Sequence, residues 1–230
     1  MKEGLSICIP VYNEEEIIFK NITRLENFLK GNKIKEYEII IVNNGSKDQT
    51  VRELKKLKEK YKDRIKIINI QKRGVGFAFK EFIKNSSYNY ILTLDADLSG
   101  DLNFVIKCKK KIKQEDIIIG SKSTGSQKRP LIRKILSSGF IILTKILLGL
   151  NLTDYSISTK CYDKTKIKKF VNKFYDGGSF YVVQIMYYAK KDNLKLSQIP
   201  IYCIDKRKSK FNLLHESLYR FKNLIKLAVK

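Results

Sequence analysis

Two aspartates one residue apart, Asp95 and Asp97, are the side chains in this 230-residue sequence whose type and spacing most directly suggest chemistry. They follow the apolar run Tyr90-Ile91-Leu92-Thr93-Leu94, with Ala96 between them. In an extended chain residues i and i+2 face the same side, so both carboxylates can aim at one point just past a strand end. Adjacent carboxylates repel unless a cation lies between them, and oxygen ligands suit Mg²⁺ or Mn²⁺. A diphosphate would complete the coordination sphere. The competing reading is a solvated turn with an aspartate helix cap, and the position at the end of a buried strand favours the metal.

Two further strand ends carry polar residues in unusual density. In Pro10-Val11-Tyr12-Asn13-Glu14 the proline is expected to stop a strand, and capping of the next helix by Asn13 or Glu14 is a sufficient explanation of the rest. In Asn43-Asn44-Gly45-Ser46-Lys47-Asp48 the glycine permits a tight turn, and the polar side chains line a helix N-terminus suited to an anion or a nucleoside. Asn-Gly turns are common, so that second loop carries little weight by itself.

The elements that would position these loops alternate. Short runs rich in Ile, Val and Leu predict buried strands over 5–10, 38–43, 65–71, 90–95 and 117–121. Helical spacing with Lys/Glu faces predicts helices over 14–30, 48–62, 75–84 and 102–113. Such alternation predicts an α/β fold with a mostly parallel central sheet flanked by helices, which binds ligands at the carboxyl ends of its strands.

With 43% hydrophobic and 30% charged residues the chain is globular, and it is long enough for one domain with a sizeable core. Lys and Arg outnumber Asp and Glu 47 to 23, a net charge of +24, which favours polyanionic partners: nucleic acids, anionic membranes or phosphorylated substrates. Part of the excess is compositional, because Lys, Ile and Asn abound at bland positions. A nucleic-acid-binding module would need a basic stripe with exposed aromatics or a known binding motif, and neither is present. Cys8, Cys108, Cys161 and Cys203 have no metal-ligand spacing and are expected to be free thiols in a reducing cytoplasm. No signal peptide is expected, since Met1-Lys2-Glu3 leads straight into a strand. No run reaches the roughly 18 apolar residues of a spanning helix; the longest, 135–150, is interrupted by Lys145.

In order and spacing, Pro10-Val11-Tyr12-Asn13-Glu14, Asn43-Asn44-Gly45-Ser46-Lys47-Asp48, Gly74-Val75-Gly76-Phe77-Ala78 and Asp95-Ala96-Asp97-Leu98-Ser99 resemble the family-2 glycosyltransferases. Within them the chain looks like the group of dolichyl-phosphate mannose synthases and polyprenyl-phosphate sugar transferases, over about residues 5–210. The resemblance implies a GT-A-type, Rossmann-like nucleotide-sugar-binding fold, inverting transfer and a divalent metal. It implies that Pro10, Tyr12, Glu14, Asn43, Asn44, Gly76, Asp95 and Ala96 line the nucleotide-sugar site, and that Asp97 and Ser99 hold the metal. Gly120-Ser121-Lys122 matches a Gly-Ser-Arg element, with Lys122 in place of an arginine near phosphate. Arg129, Arg133, Arg207 and Lys210 match basic groups around an acceptor phosphate, Arg133 and Arg207 acting with Asp95 and Asp97 as the catalytic set. The family's usual pair of aspartates is Asn43-Asn44 here. Its Asp-x-x-Ser-Gly-Phe-Arg stretch is Asp154-Tyr155-Ser156-Ile157-Ser158-Thr159-Lys160, and the acids of a later helix fall at Val182 and Gln184.

A hydroxyl acceptor needs a general base, whereas a phosphate monoester is already ionised and needs positioning and charge compensation. The loss of acids at 182 and 184 and the cluster of Arg129, Arg133, Lys206, Arg207, Lys208 and Lys210 favour a polyprenyl (dolichyl) phosphate. Residues 131–152 predict one helix or two with a broad apolar side. The C-terminal stretch puts Leu214, Leu218, Phe221, Ile225 and Ala228 on one face. Basic amphipathic helices lie in membrane interfaces, while a core-covering helix or a dimer interface remain alternatives. The expected organisation is therefore a catalytic domain over 1–210 and a basic amphipathic helix over 211–230, attached peripherally to the cytoplasmic face of a membrane. The alternatives are a saccharide or protein hydroxyl as acceptor and, from another class, a nucleic-acid-binding module.

Overall fold

The computed structural model describes residues 2–128, 131–204 and 213–229. The chain runs β1 (Lys2–Val11), α1 (Ile18–Gly31), β2 (Tyr37–Asn43), α2 (Thr50–Tyr61), β3 (Ile65–Asn69), α3 (Val75–Asn85), β4 (Tyr88–Thr93), α4 (Asn103–Lys111) and β5 (Ile117–Lys128). It continues through α5 (Leu131–Leu148), β6 (Lys160–Asp163), α6 (Lys164–Ile167), α7 (Tyr181–Lys191), β7 (Leu196–Ile204) and α8 (Leu213–Ala228).

The strands form one sheet in the order β3-β2-β1-β4-β6-β5-β7, parallel except for β6, which runs antiparallel to β4 and β5. Alternation along the strands builds a core on each face. Ile7, Ile9, Ile39 and Ile41 pack with Ile18, Ile22 and Leu25 of α1, Leu54 and Leu57 of α2, and Phe104 and Val105 of α4. The intervening Cys8, Ile40 and Val42 pack on the other side with Phe79 and Phe82 of α3, Val183 and Met186 of α7, and Leu224 and Leu227 of α8. The predicted α/β class and parallel sheet are present. After β3 the chain crosses back to place β4 on the far side of β1, so the strand order reverses between β1 and β4. That reversal is where such sheets bind ligands.

Four local expectations are corrected. Pro10 does not end β1: it pairs with Val42, and the strand runs on to Val11. Pairing with β4 stops at Cys8 opposite Thr93, so beyond it β1 has the edge-like setting that tolerates proline. The first helix starts at Ile18 rather than 14, after a turn in which the Glu14 carbonyl accepts from the Ile17 and Ile18 amides. The last β4 residue is Thr93, not 95. The fifth strand continues past 121 to Lys128, with a register shift against β7 between Ser121 and Ser126. Cys8, Cys108 and Cys161 are buried free thiols.

α5 and α8 pack on each other, and each presents apolar side chains in two directions. α8 buries Leu224 and Leu227, while Leu218 (70% exposed), Phe221 and Ile225 face outwards. α5 buries Thr144 and Leu148 and exposes Ile132, Ile135, Ile142 (58%) and Ile146 (72%). Gly149, at φ 64°, follows the helix in the left-handed conformation common just past helix ends.

Candidate active site

The loops after β1 and β2 are tied together by side chains that meet backbone. The Asn13 amide donates to Ser46 Oγ (3.0 Å), and Asn13 Oδ1 accepts from the Lys47 amide (2.8 Å). The Glu14 amide donates to Thr50 Oγ1 (2.9 Å), and Glu15 Oε2 accepts from the Gln49 amide (2.7 Å). The capping explanation of Asn13 and Glu14 is thereby replaced: α1 has no side-chain cap, and these residues fix the neighbouring loop instead. Asn13 adopts φ 52°, which asparagine tolerates better than most residues.

Asn43 and Asn44, both buried, use their amides differently. Asn43 Nδ2 donates to Asn69 Oδ1 (2.9 Å) while its Oδ1 accepts from the Ser46 amide (3.1 Å). A carboxylate at 43 could make only the second bond. Asn44 Oδ1 accepts from the Gly74 amide (2.7 Å), which ties the β2 loop to the start of α3. Beside that contact the Arg73 guanidinium lies 3.7 Å from the centre of the Tyr12 ring. Arg73 is absent from the sequence-derived set. Its signal was a cation directly before the Gly74-Val75-Gly76 turn.

Beyond β4 the chain turns instead of staying extended. The Leu98 amide donates to the Asp95 carbonyl (3.0 Å), and Leu98 has φ 48°. That conformation costs a residue with Cβ roughly 1–2 kcal/mol, offset here by burial of the Leu98 side chain in the core. Asp97 Oδ1 accepts from the Ser99 amide (3.0 Å), and the Ala96 carbonyl accepts from Asn21 Nδ2 (2.9 Å). The two carboxylates share one neighbourhood through this turn, not through strand alternation. Burial pushes the Asp95 carboxyl up, and the nearby Asp97 carboxylate adds to the rise. The Ser158 hydroxyl and the Lys160 and Lys122 ammoniums act against it.

Those lysines belong to a buried charged floor contributed by β5, β6 and the segment before β6. Lys122 Nζ lies 3.7 Å from Asp154 Oδ2 and donates to Ser156 Oγ (2.7 Å). Asp154 Oδ1 accepts from the Ser156 amide (2.8 Å) and hydroxyl (3.0 Å). Burial pushes Asp154 up, yet the Lys122 and Lys160 charges and these hydrogen bonds hold its carboxyl below the ordinary value. Lys160 is 1% exposed and donates to the Ile157 carbonyl. Burial lowers its pKa to about 8, with Lys122 pushing the same way and Asp154 and Asp95 opposing.

Gly76 serves close packing. Its amide donates to the Gly177 carbonyl (2.8 Å), and a Cβ there would stand 2.3 Å from the Asp176 carbonyl oxygen. Val182 lies in the core, and Gln184 Oε1 accepts from the Asp176 amide (3.0 Å). Asp176, which sequence reading passed over, accepts from the Tyr181 amide (3.0 Å) and from the Tyr219 hydroxyl of α8. Arg129, Arg207 and Lys210 lie outside the described residues, as does the side chain of Arg133. Among the described residues no group of three or more His, Cys, Asp and Glu could hold a metal, and no helix is long and apolar enough to cross a membrane.

Residues 6–171 match the family described as Glycosyl transferase family 2. The chain is 28% identical over 242 residues to a dolichyl-phosphate beta-glucosyltransferase of Dictyostelium discoideum, covering 98% of this chain and 74% of the relative. It is 32% identical over 148 residues to a dolichol-phosphate mannosyltransferase of Pyrococcus furiosus, covering 63% of this chain and 41% of that one. Among solved structures it resembles glucosyl-3-phosphoglycerate synthase from Mycobacterium tuberculosis, in complex with Mn²⁺, UDP and phosphoglyceric acid. The TM-score is 0.72 at 12% identity, over 97% of this chain and 76% of the other, a likeness of fold.

Proposed function

Because this chain belongs to glycosyl transferase family 2, with the GT-A fold of a glycosyltransferase, we propose that it moves a sugar, with inversion, from a nucleotide-sugar donor to a polyprenyl (dolichyl) phosphate. The transfer takes place at the cytoplasmic face of a membrane. The observation that carries the reading is the pairing of Asp95 with Asp97 where the strand order reverses, beside loops held in place by Asn13, Asn43 and Asn44.

In this reading Tyr12, Arg73, Asn43 and Asn44 border the nucleoside, with Pro10 and Glu14 on the same loop. Asp95 and Ala96 face the donor, and Lys122 lies below its phosphates. Asp97 and Ser99 would hold Mg²⁺ or Mn²⁺. The residues fit a cation, because Asp95 and Asp97 are near neighbours beyond β4, where burial first and the second carboxylate after it disfavour a charged Asp95, and a bound cation offsets both. When bound, the metal supplies Lewis-acid compensation for the diphosphate that leaves. In the transfer an acceptor phosphate oxygen bonds to the anomeric carbon, whose bond to the diphosphate oxygen breaks. No proton has to be removed from an ionised phosphate, so the chain's task is to position two anions and balance their charge. Arg129, Arg133, Arg207 and Lys210 are assigned to the acceptor phosphate.

Residues 1–210 are assigned to the catalytic domain and 211–230 to a basic amphipathic helix. The exposed apolar rows of α5 and α8, with Lys145, Lys222 and Lys226 exposed beside them, support a peripheral membrane contact, since such surfaces favour anionic lipid interfaces. The two relatives named for dolichyl- or dolichol-phosphate transfer support the acceptor.

The test is a panel of labelled nucleotide sugars incubated with the protein, membranes and Mg²⁺ or Mn²⁺, then extracted with organic solvent. Label is expected in the lipid phase. Label transferred only to water-soluble product would replace the lipid phosphate with a hydroxyl acceptor.

A further inference from the structure

The segment Asp176-Gly177-Gly178-Ser179 lies between the start of α3 and α8, and touches both at close range. On the α3 side the Gly177 carbonyl accepts from the Gly76 amide (2.8 Å), and a Cβ on Gly177 would stand 2.3 Å from the Phe77 ring. A Cβ on Gly74 would be 2.1 Å from the Gly177 carbonyl oxygen. On the α8 side the Asp176 carboxylate accepts from the Tyr219 hydroxyl, and a Cβ on Gly178 would lie 2.4 Å from that hydroxyl. Ser179 donates to Glu216, and Arg220 Nε bridges Ser179 Oγ (3.2 Å) and Glu216 Oε1 (2.8 Å). Two consecutive glycines thus serve opposite neighbours, and neither position has room for a side chain.

Both ends of this contact lead somewhere. Gly74 is held by Asn44 (2.7 Å) and follows Arg73, which stacks on Tyr12, so the α3 side is the wall assigned to the nucleoside. Tyr219 follows the exposed Leu218 and precedes Phe221 by two residues on the outward face of α8. The helix is also fastened on its inner face by the buried Leu224 and Leu227, by Glu216 and Arg220 on Ser179, and by packing on α5, where the Arg220 guanidinium lies over the Phe140 ring. A helix fastened on one face and apolar on the other gains further order when its outer face enters a bilayer.

We propose that Tyr219 is a positioning residue for the donor site: by gripping Asp176 it transmits the seating of α8 on a lipid surface to the start of α3, so that membrane-bound protein holds the nucleotide more tightly. The inference rests on the donor-site and membrane readings above. It requires only that lipid and nucleotide each bind better to the docked arrangement of α8, which makes the coupling reciprocal.

The test measures binding of UDP and of GDP with Mn²⁺ by calorimetry, with and without vesicles of phosphatidylcholine and phosphatidylserine. Vesicles are expected to raise the wild-type affinity by about two- to tenfold, the range of one net hydrogen bond. Tyr219→Phe, which keeps the ring and loses the hydroxyl, is expected to sediment with vesicles as wild type does yet show no rise. Gly178→Ala, which wedges Tyr219 away, should behave alike and carries the test if Tyr219→Phe does not fold. An equal rise in wild type and a folded variant would overturn the proposal, as would a wild type that binds both vesicles and nucleotide without any rise. A wild type that fails to bind vesicles, or fails to bind either nucleotide, would overturn the corresponding underlying reading and this inference with it.

Discussion

The two sides of the sheet's switch point obey opposite rules. On the donor side, the loops after β1, β2 and β4 spend uncharged or half-buried polar side chains on neighbouring backbone: the half-buried Asn13 on Lys47, the buried Asn44 on Gly74, the half-buried Asp97 on Ser99. On the side built by β5, β6, α5 and α8 the usual distribution is reversed. Lys122, Asp154 and Lys160 are inside, while Ile132, Ile135, Ile142, Ile146, Leu218 and Phe221 are outside. Burying charge and exposing apolar surface both cost free energy, and a fold that does both on one side is arranged around something other than its own core. The proposed reaction accounts for both departures, because the donor's phosphates and the acceptor's head are anions and the acceptor's tail is a hydrocarbon.

The largest expected effect lies on the donor side. Asp97→Ala should lower transfer by about two to three orders of magnitude, as loss of one preorganised electrostatic group does. It should also abolish Mn²⁺-dependent nucleotide binding while the thermal midpoint stays near wild type. Unchanged activity would remove the metal from the mechanism and with it the contrast drawn above.

A second prediction probes the buried floor through pH. Lys160 has a folded pKa of about 8 against an ordinary 10.5. Between those values the unfolded chain binds more protons at this site than the folded one, so this lysine makes the fold more stable as pH rises through that window, and below about 8 it opposes folding in full. Lys160→Arg keeps the charge at every pH in this range. The stability difference between wild type and Lys160→Arg, from urea midpoints, should therefore grow in favour of wild type from pH 8 to 10. A constant difference would show that Lys160 does not sense burial, and the floor would then be an ordinary solvated ion cluster.

The same contrast decides what the sequence made legible. β1 to β5 were readable because strands covered on both faces are runs of Ile, Val and Leu, and the helices between them carry strong periodicity. β6 was not: Lys160-Cys161-Tyr162-Asp163 has a charge at each end, and only tertiary partners make burial of that lysine tolerable. β7 contains Pro200, which weakens a strand assignment and is accommodated because β7 is an edge. The juxtaposition of Asp95 and Asp97 was argued from strand alternation, whereas the chain turns there, with Leu98 at positive φ and its amide on the Asp95 carbonyl, a local geometry that spacing alone does not reveal. Arg73 and Asp176 were missed because their roles depend on Tyr12 and Tyr219, residues distant in sequence.

The smallest effect separates the two asparagines that replace the family's usual aspartates. Asn43 needs its NH₂ group, because it donates to Asn69 Oδ1 while accepting from Ser46. Asn43→Asp sets a carboxylate oxygen against that acceptor unless the Asn69 amide turns over, and should cost about 1 kcal/mol. The bond Asn44 makes to Gly74 is one of acceptance, which a carboxylate performs at least as well, with the neighbouring Arg73 to offset its charge. Asn44→Asp should therefore be the milder change by urea midpoint. The reverse order would mean that the Asn44 NH₂ group has a partner of greater weight than the Gly74 contact, and that this loop is held by more than its backbone bonds.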